Sequence, residues 1–114
     1  MIAIYHNPRC RKSREGLVIL EELKIPFEIR KYLDETLSYN ELKTIVEILK
    51  IEPIDLIRKN EAIWKSDFKN KDLTNNEIIS AMVEFPKLIE RPIVIKDKEG
   101  VLGRPPEIIK SLFK

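Results

Sequence analysis

Three things are scarce in this sequence: cysteine, net charge and long apolar runs. With Cys10 as its only cysteine, the chain cannot form an internal disulfide, so another molecule must resolve any oxidation of this thiol. No apolar run approaches the roughly 20 residues that cross a bilayer, and the N-terminus lacks the basic-then-apolar layout of a signal peptide. A net charge of +2 is too small to indicate nucleic-acid binding. We therefore expect a cytoplasmic protein with no membrane and no nucleic-acid partner.

Length and composition indicate one domain. A chain of 114 residues, 43% hydrophobic and 35% charged, is long enough to bury one core and too short for two ordinary domains. We predict a single domain over residues 1–114. We also predict a monomer, because no exposed apolar stripe demands a second copy. No sequence motif indicates a bound cofactor or a metal site, so we expect neither.

The cysteine lies where a predicted strand meets a predicted helix. Ile2–Tyr5 is short and apolar throughout, Asn7-Pro8 marks a turn, and a helical apolar stripe follows Cys10. A thiol at the start of a helix faces the first backbone N–H groups. These groups and the helix dipole stabilise its thiolate.

Four cations flank this cysteine in the sequence: Arg9, Arg11, Lys12 and Arg14. Nearby positive charge favours the ionised sulfur and attracts anions. A lone cysteine is often no more than a small buried hydrophobe. The position of Cys10 after a turn and among cations favours a reactive nucleophile instead, and we predict that it is the catalytic residue.

The two ends of the chain predict a mixed sheet. Phe27–Tyr32 alternates apolar and charged residues and forms, with Ile2–Tyr5 and the helix between them, a parallel βαβ unit. Within that helix, Gly16 costs about 1 kcal/mol relative to alanine, so we expect a close packing contact there. Ile93-Val94-Ile95 and Val101-Leu102 are joined by a turn too short for a crossover. They therefore form an antiparallel hairpin, which a last helix follows.

The middle of the chain is predicted to be helical. Ser38 and Thr74 each begin a capping box, with a glutamate three residues later and an apolar helical pattern beyond it. We place this helical insertion at about residues 37–89, between the βαβ and ββα halves. The element order predicts an α/β thioredoxin- or glutaredoxin-like fold with a mixed four-stranded sheet.

Three arginines next to turns are candidates for anion binding: Arg58 after Ile54–Ile57, Arg91 before Pro92, and Arg104 before Pro105. Taken singly, each is usually a surface charge at a turn. In this fold, however, the loops after the first strand and before the third strand lie at the same edge of the sheet. Guanidinium groups near a thiolate there can hold a tetrahedral oxyanion with paired N–H donors.

At these residues the sequence resembles the arsenate reductases of the glutaredoxin-coupled ArsC type. The resemblance covers nearly the whole chain. It runs through four segments in the order and spacing of that family: Ile4-Tyr5-His6-Asn7-Pro8-Arg9-Cys10 with Ser13-Arg14, Leu56-Ile57-Arg58-Lys59-Asn60, Glu90-Arg91-Pro92-Ile93-Val94, and Gly103-Arg104-Pro105-Pro106-Glu107. The last segment is most similar to a chromosomal subgroup of these reductases.

The resemblance implies a mechanism with no bound cofactor. The Cys10 thiolate would attack arsenate held by Arg58, Arg91 and Arg104. Glutathione, as co-substrate, would add to the adduct and release arsenite, and glutaredoxin would reduce the resulting mixed disulfide.

The resemblance also implies roles for residues around the sulfur. His6, Ser13 and Arg14 would orient or stabilise the thiolate, although His6 is equally well read as a turn residue that backbone groups satisfy. Pro92 matches a proline that is cis in thioredoxin-like folds and turns the Arg91 backbone toward the thiol.

Two alternatives remain open. Spx-type regulators share the fold and the first segment but bind RNA polymerase; they typically carry a second cysteine where this chain has Ser13, so a disulfide switch within the motif is impossible here. The other alternative is a thiol oxidoreductase for another oxyanion, because phosphate and sulfate share the charge and shape of arsenate.

Overall fold

The computed structural model describes residues 1–113, which form two compact units. The first unit is Met1–Glu35 together with the chain from Arg91 onward, and the second is Thr36–Glu90. Across both units, the strands are β1 Ile2–Tyr5, β2 Glu28–Arg30, β3 Ile93–Lys96 and β4 Glu99–Leu102. The α-helices are α1 Arg11–Glu22, α2 Tyr39–Leu49 and α3 Asn75–Glu84. That both units belong to a single domain stays a prediction.

The first unit is built on a four-stranded mixed sheet in the order β2-β1-β3-β4, as predicted. β1 pairs in parallel with β2, where Ile4 lies opposite Ile29, and antiparallel with β3, where Ile4 lies opposite Val94. β3 and β4 form the predicted hairpin, with Lys96 opposite Glu99. In the turn between them, Asp97 has a φ of 55°, in the left-handed region.

The core of the first unit joins the sheet to α1 and to a 3₁₀ helix at Pro106–Phe113. Its buried members come from each of these elements: Ile4, Leu20, Val94, Ile109 and Leu112. Each such side chain contributes about 1.5–3 kcal/mol when it leaves water. This packing holds α1 against the sheet, and α1 carries Cys10 at its start.

The second strand is shorter than the sequence predicts. The alternation of Phe27–Tyr32 predicts six residues, whereas β2 spans only Glu28–Arg30. Within residues 1–113, β2 is an edge strand that pairs with β1 alone, and its Ile29 is 42% exposed instead of buried. The backbone N–H of His6 donates to the Arg30 carbonyl at 2.9 Å, which extends the pairing up to the turn that precedes Cys10.

The second unit is helical, as predicted. α2 and α3 both begin at capping boxes: Glu41 N–H donates to Ser38 Oγ at 3.1 Å, and Glu77 N–H donates to Thr74 Oγ1 at 3.2 Å. The shorter segments of this unit are a 3₁₀ helix at Pro53–Leu56, a π-helix at Trp64–Phe68 and a 3₁₀ helix at Pro86–Leu88. Within residues 1–113, no helix is both long enough and apolar enough to span a membrane.

Candidate active site

A tight turn carries the chain from β1 into α1. Cys10 N–H donates to the Asn7 carbonyl at 3.0 Å, and Arg9 N–H donates to Asn7 Oδ1 at 3.0 Å. Asn7 thus closes the turn with both its backbone and its side chain. Cys10 follows with an extended backbone as the N-cap of α1, and its carbonyl accepts the helix hydrogen bond from Arg14 N–H at 3.0 Å.

The Cys10 thiol is half-buried and lies among hydrogen-bond donors. Burial raises the pKa of this thiol, but the backbone N–H of Ser13, the hydrogen bond and charge of Arg91, and the backbone N–H of Lys12 together lower the pKa below its ordinary value of 9.0. The two backbone N–H groups are those expected at the start of a helix, whereas Arg91 comes from a distant part of the chain. The thiolate form is therefore favoured at this position.

Arg91 is the arginine that reaches the sulfur. Arg91 is 7% exposed, and the hydrogen bond and charge of its side chain lower the pKa of the Cys10 thiol. Its Nε is buried and has no hydrogen-bond partner within residues 1–113. A buried donor without a partner costs about 1–3 kcal/mol. An acceptor bound beside the sulfur would remove that cost.

Arg104 contacts the backbone of Arg91. Its Nη1 donates to the Arg91 carbonyl at 3.1 Å, and its side chain remains exposed. The peptide bonds Arg91–Pro92 and Arg104–Pro105 are both cis. The first unit therefore brings Cys10, Arg91 and Arg104 together as a connected group.

Arg58 belongs to the second unit, where two carboxylates hold it. Its Nη1 lies 2.9 Å from Glu61 Oε1, and its Nε lies 3.3 Å from Glu90 Oε1. Its backbone N–H donates to the Leu88 carbonyl at 2.7 Å, beside the antiparallel bridge between Ile57 and Ile89. Neither carboxylate was predicted as a partner of Arg58. Anion binding by Arg58 stays a prediction.

His6 and Ser13 are linked inside the first unit. His6 Nδ1 lies 2.7 Å from Ser13 Oγ, and the Asn7 N–H donates to the same Oγ at 3.0 Å. The Ser13 hydroxyl hydrogen is thus available to a neutral imidazole. Burial lowers the pKa of His6 below 6.5, as do Lys31 and Arg14, while a hydrogen bond with the Ser13 backbone opposes them. The imidazole is therefore neutral at neutral pH.

Arg14 braces the turn. Its Nη1 donates to the Pro8 carbonyl at 3.0 Å, and its side chain is exposed. Neither Arg14 nor His6 is among the groups that shift the pKa of Cys10. Support of the thiolate by these two side chains stays a prediction, whereas Ser13 faces the sulfur through its backbone N–H. In the described part of the chain, no three His, Cys, Asp or Glu side chains are grouped so that they could hold a metal.

Known proteins are similar to this chain in sequence and in fold. Residues 5–112 match the model of the ArsC family. The chain is 42% identical over 114 residues to the arsenate reductase of Haemophilus influenzae, with 98% of each chain covered. It is 38% identical over 114 residues to that of Neisseria meningitidis serogroup A, with 98% of this chain and 97% of the relative covered. The arsenate reductase structure from Vibrio cholerae matches with a TM-score of 0.92 and 39% identity, covering 96% of this chain and 95% of that one. The chain belongs to the ArsC family, and its fold is the thioredoxin-like fold of those structures.

Proposed function

We propose that this protein reduces arsenate to arsenite, with Cys10 as the nucleophile and external thiols as the electron source. One observation carries this proposal: Arg91 contacts the Cys10 thiolate and keeps a buried Nε without a partner within residues 1–113. An oxyanion beside the sulfur would accept from that donor. The names of the relatives supply the identity of the oxyanion.

In the first step, the Cys10 thiolate attacks the arsenic atom. A sulfur–arsenic bond forms and one arsenate oxygen leaves, as water once it is protonated. Arg91 offsets the negative charge of the anion as it approaches the thiolate, and the Ser13 and Lys12 N–H groups hold the sulfur in place. Phosphate and sulfate share the shape and charge of arsenate, but phosphate and sulfate are not reduced by thiols, so chemistry rather than binding selects the substrate.

In the second step, glutathione supplies the other thiol. Its sulfur attacks the Cys10 sulfur, a disulfide bond forms, and the sulfur–arsenic bond breaks with its electron pair left on arsenic. Arsenic is thereby reduced by two electrons and leaves as arsenite. Because Cys10 is the only cysteine, the resulting mixed disulfide must be reduced by another molecule, and we propose glutaredoxin for that role.

The remaining predicted residues take supporting roles in this proposal. Arg104 supports Arg91 through its carbonyl, and Arg58 is the third predicted ligand of the anion, on the strength of the family resemblance. His6, Ser13 and Arg14 hold the turn that presents the sulfur. We further propose a cytoplasmic monomer, since a lone reactive thiol needs a compartment that keeps it reduced.

The test is arsenate-dependent NADPH oxidation in the presence of glutathione, glutaredoxin and glutathione reductase. We expect turnover with the wild-type protein and none with Cys10→Ser, whose fold is checked by circular dichroism. Replacing glutaredoxin with thioredoxin and its reductase tests the electron donor separately.

Absence of turnover from the folded wild-type protein with either donor would refute the reductase proposal. A regulator would then be tested by binding to RNA polymerase. A thiol oxidoreductase for another substrate would be tested by the same assay with other oxyanions.

A further inference from the structure

Two glycines of the first unit adjoin the ring of Pro92. A Cβ placed on Gly16 would lie 2.8 Å from Pro92 Cγ, and a Cβ placed on Gly103 would lie 3.0 Å from the same atom. Both would also lie 3.0 Å from Ile109 Cδ1. Real Cβ atoms are seldom packed so closely, so any side chain at either glycine would force a neighbour to move.

Backbone conformation does not explain these glycines. Within residues 1–113, no glycine has a positive φ, so neither Gly16 nor Gly103 adopts a conformation closed to other residues. Gly16 also lies inside α1, where glycine is a poor helix former. The space beside the Pro92 ring is therefore what these positions require.

Pro92 and Ile109, which an added Cβ would meet, differ in how freely their side chains can move. The end carbon of Ile109 can rotate away from an added Cβ, because its side chain has free torsions. The Pro92 ring is fused to its own backbone and cannot rotate independently. An added Cβ would therefore displace the ring together with the peptide that joins Pro92 to Arg91.

That displacement would reach the reactive sulfur. Cys10 is the N-cap of α1, which contains Gly16, and Arg91 immediately precedes Pro92. On the other side, Gly103 N–H donates to the Pro92 carbonyl at 2.7 Å. A shift of the Pro92 ring relative to α1 would therefore move the Arg91 guanidinium relative to the Cys10 sulfur.

We propose that Gly16 and Gly103 are positioning residues of the active site: by leaving room for the Pro92 ring, they keep the Arg91 guanidinium within hydrogen-bonding distance of the Cys10 sulfur. This inference rests on Cys10 as the reactive thiol proposed above. It does not depend on arsenate as the substrate.

The experiment measures ionisation of the thiol in Gly16→Ala and Gly103→Ala. Because the chain has one cysteine, the rate of alkylation by iodoacetamide as a function of pH reports on Cys10 alone. We expect the pKa of Cys10 to rise in each variant, so that the alkylation rate at pH values below the wild-type pKa falls about tenfold. If Gly16→Ala does not fold, Gly103→Ala provides the test, since its added Cβ would lie 3.0 Å from the nearest atom rather than 2.8 Å.

Leu20→Ala is the matched control. Leu20 lies one turn beyond Gly16 on α1 and is fully buried, so its truncation lowers the thermal stability without adding an atom near Pro92. We expect its Cys10 pKa to equal that of the wild type. A wild-type pKa in the folded glycine variants would overturn the proposal, and so would an equal pKa shift in Leu20→Ala. If the Cys10 pKa rises in the glycine variants but the wild-type protein does not reduce arsenate, the result contradicts the proposed function and leaves the positioning role of the glycines intact.

Discussion

Arg104 Nη1 donates a hydrogen bond of 3.1 Å to the backbone carbonyl of Arg91. The Arg91 side chain, in turn, forms a hydrogen bond with the Cys10 thiolate. Two arginines with the same predicted role in anion binding therefore have different positions. Arg91 acts on the sulfur directly, and Arg104 holds the main chain from which Arg91 extends.

Substitution of Arg91 should affect both anion binding and thiol ionisation. A hydrogen bond to a charged group contributes about 1.5–3 kcal/mol, so we expect Arg91→Ala to raise the KM for arsenate about 10- to 100-fold. The pKa of Cys10 should rise in the same variant, because the hydrogen bond and charge of Arg91 are lost. Arg91→Lys keeps the charge but not the paired donors, so we expect its KM and its Cys10 pKa to lie between those of the wild type and those of Arg91→Ala. Steady-state kinetics and the alkylation profile measure the two effects.

Arg104→Ala separates anion binding from ionisation of the Cys10 thiol. We expect it to raise the KM while changing the Cys10 pKa less than Arg91→Ala does, because Arg104 is not among the groups that lower this pKa. Arg11→Ala is the control, since Arg11 is an exposed cation of α1 paired with Glu15 at 3.2 Å. Unchanged KM and unchanged thiol pKa in Arg91→Ala would remove Arg91 from the site.

Alkylation of Cys10 should begin at a lower pH in the folded protein than in the unfolded chain. The folded protein lowers the pKa of this thiol below 9.0, and only the thiolate reacts. The rate constant should therefore rise with pH to a plateau, with a midpoint below that of the urea-unfolded chain measured in the same way. A folded midpoint at or above the unfolded one would show that burial, which raises the pKa, outweighs the donors around the sulfur.

Much of the fold was predictable because its signals are local. The capping boxes at Ser38 and Thr74 and the short turn between β3 and β4 are each set by neighbouring residues, and the structure confirms them. The close packing expected at Gly16 is also confirmed. Its partner, the Pro92 ring, was not predicted, because α1 and β3 are far apart in the sequence.

The parts that were missed depend on tertiary surroundings. The alternation of Phe27–Tyr32 does not reveal that β2 is an edge strand with Ile29 in solvent. The carboxylates around Arg58 were missed for a related reason: Glu90 comes from a distant segment that the bridge at Ile57 and Ile89 brings alongside. Only Glu61, three residues after Arg58, offered a local signal.

His6 should make stability depend on pH just below neutrality. Burial holds the pKa of folded His6 below 6.5, so the unfolded chain takes up the proton at a higher pH than the folded one. This contribution to stability is complete above pH 6.5 and is lost as the pH falls through the folded pKa. We expect His6→Gln to lose less stability than the wild type between about pH 8 and about pH 5. Equal losses, measured by urea unfolding, would mean that His6 titrates normally.

Ser13→Ala should destabilise the turn between β1 and α1, because it removes the hydroxyl that lies 2.7 Å from His6 Nδ1. The variant also removes the acceptor of the Asn7 N–H, so we expect a loss of about 1–3 kcal/mol in unfolding free energy. Urea unfolding measures this loss. Ser111→Ala is the control, since the Ser111 hydroxyl is exposed and donates to the Ile108 carbonyl at 2.7 Å. An equal loss in Ser13→Ala and Ser111→Ala would contradict this role of the Ser13 hydroxyl.

Arg58 gives the most direct test of the prediction that three arginines bind the anion, because two carboxylates already contact its guanidinium. Nη1 contacts Glu61 and Nε contacts Glu90, so an oxyanion must compete with negative charge for the same guanidinium. We expect Glu61→Gln to lower the KM for arsenate and Arg58→Ala to raise it. The pair is partly exposed, so Glu61→Gln should change unfolding free energy by no more than about 1 kcal/mol.

Glu84→Gln is the matched control for that change. It removes one negative charge from an exposed position at the end of α3 in the same unit. If Glu84→Gln lowers the KM as much as Glu61→Gln does, net charge rather than the pairing of Arg58 explains the effect. If neither Glu61→Gln nor Arg58→Ala changes the KM, Arg58 serves to fix the bridge between Ile57 and Ile89, and anion binding rests on Arg91 and Arg104.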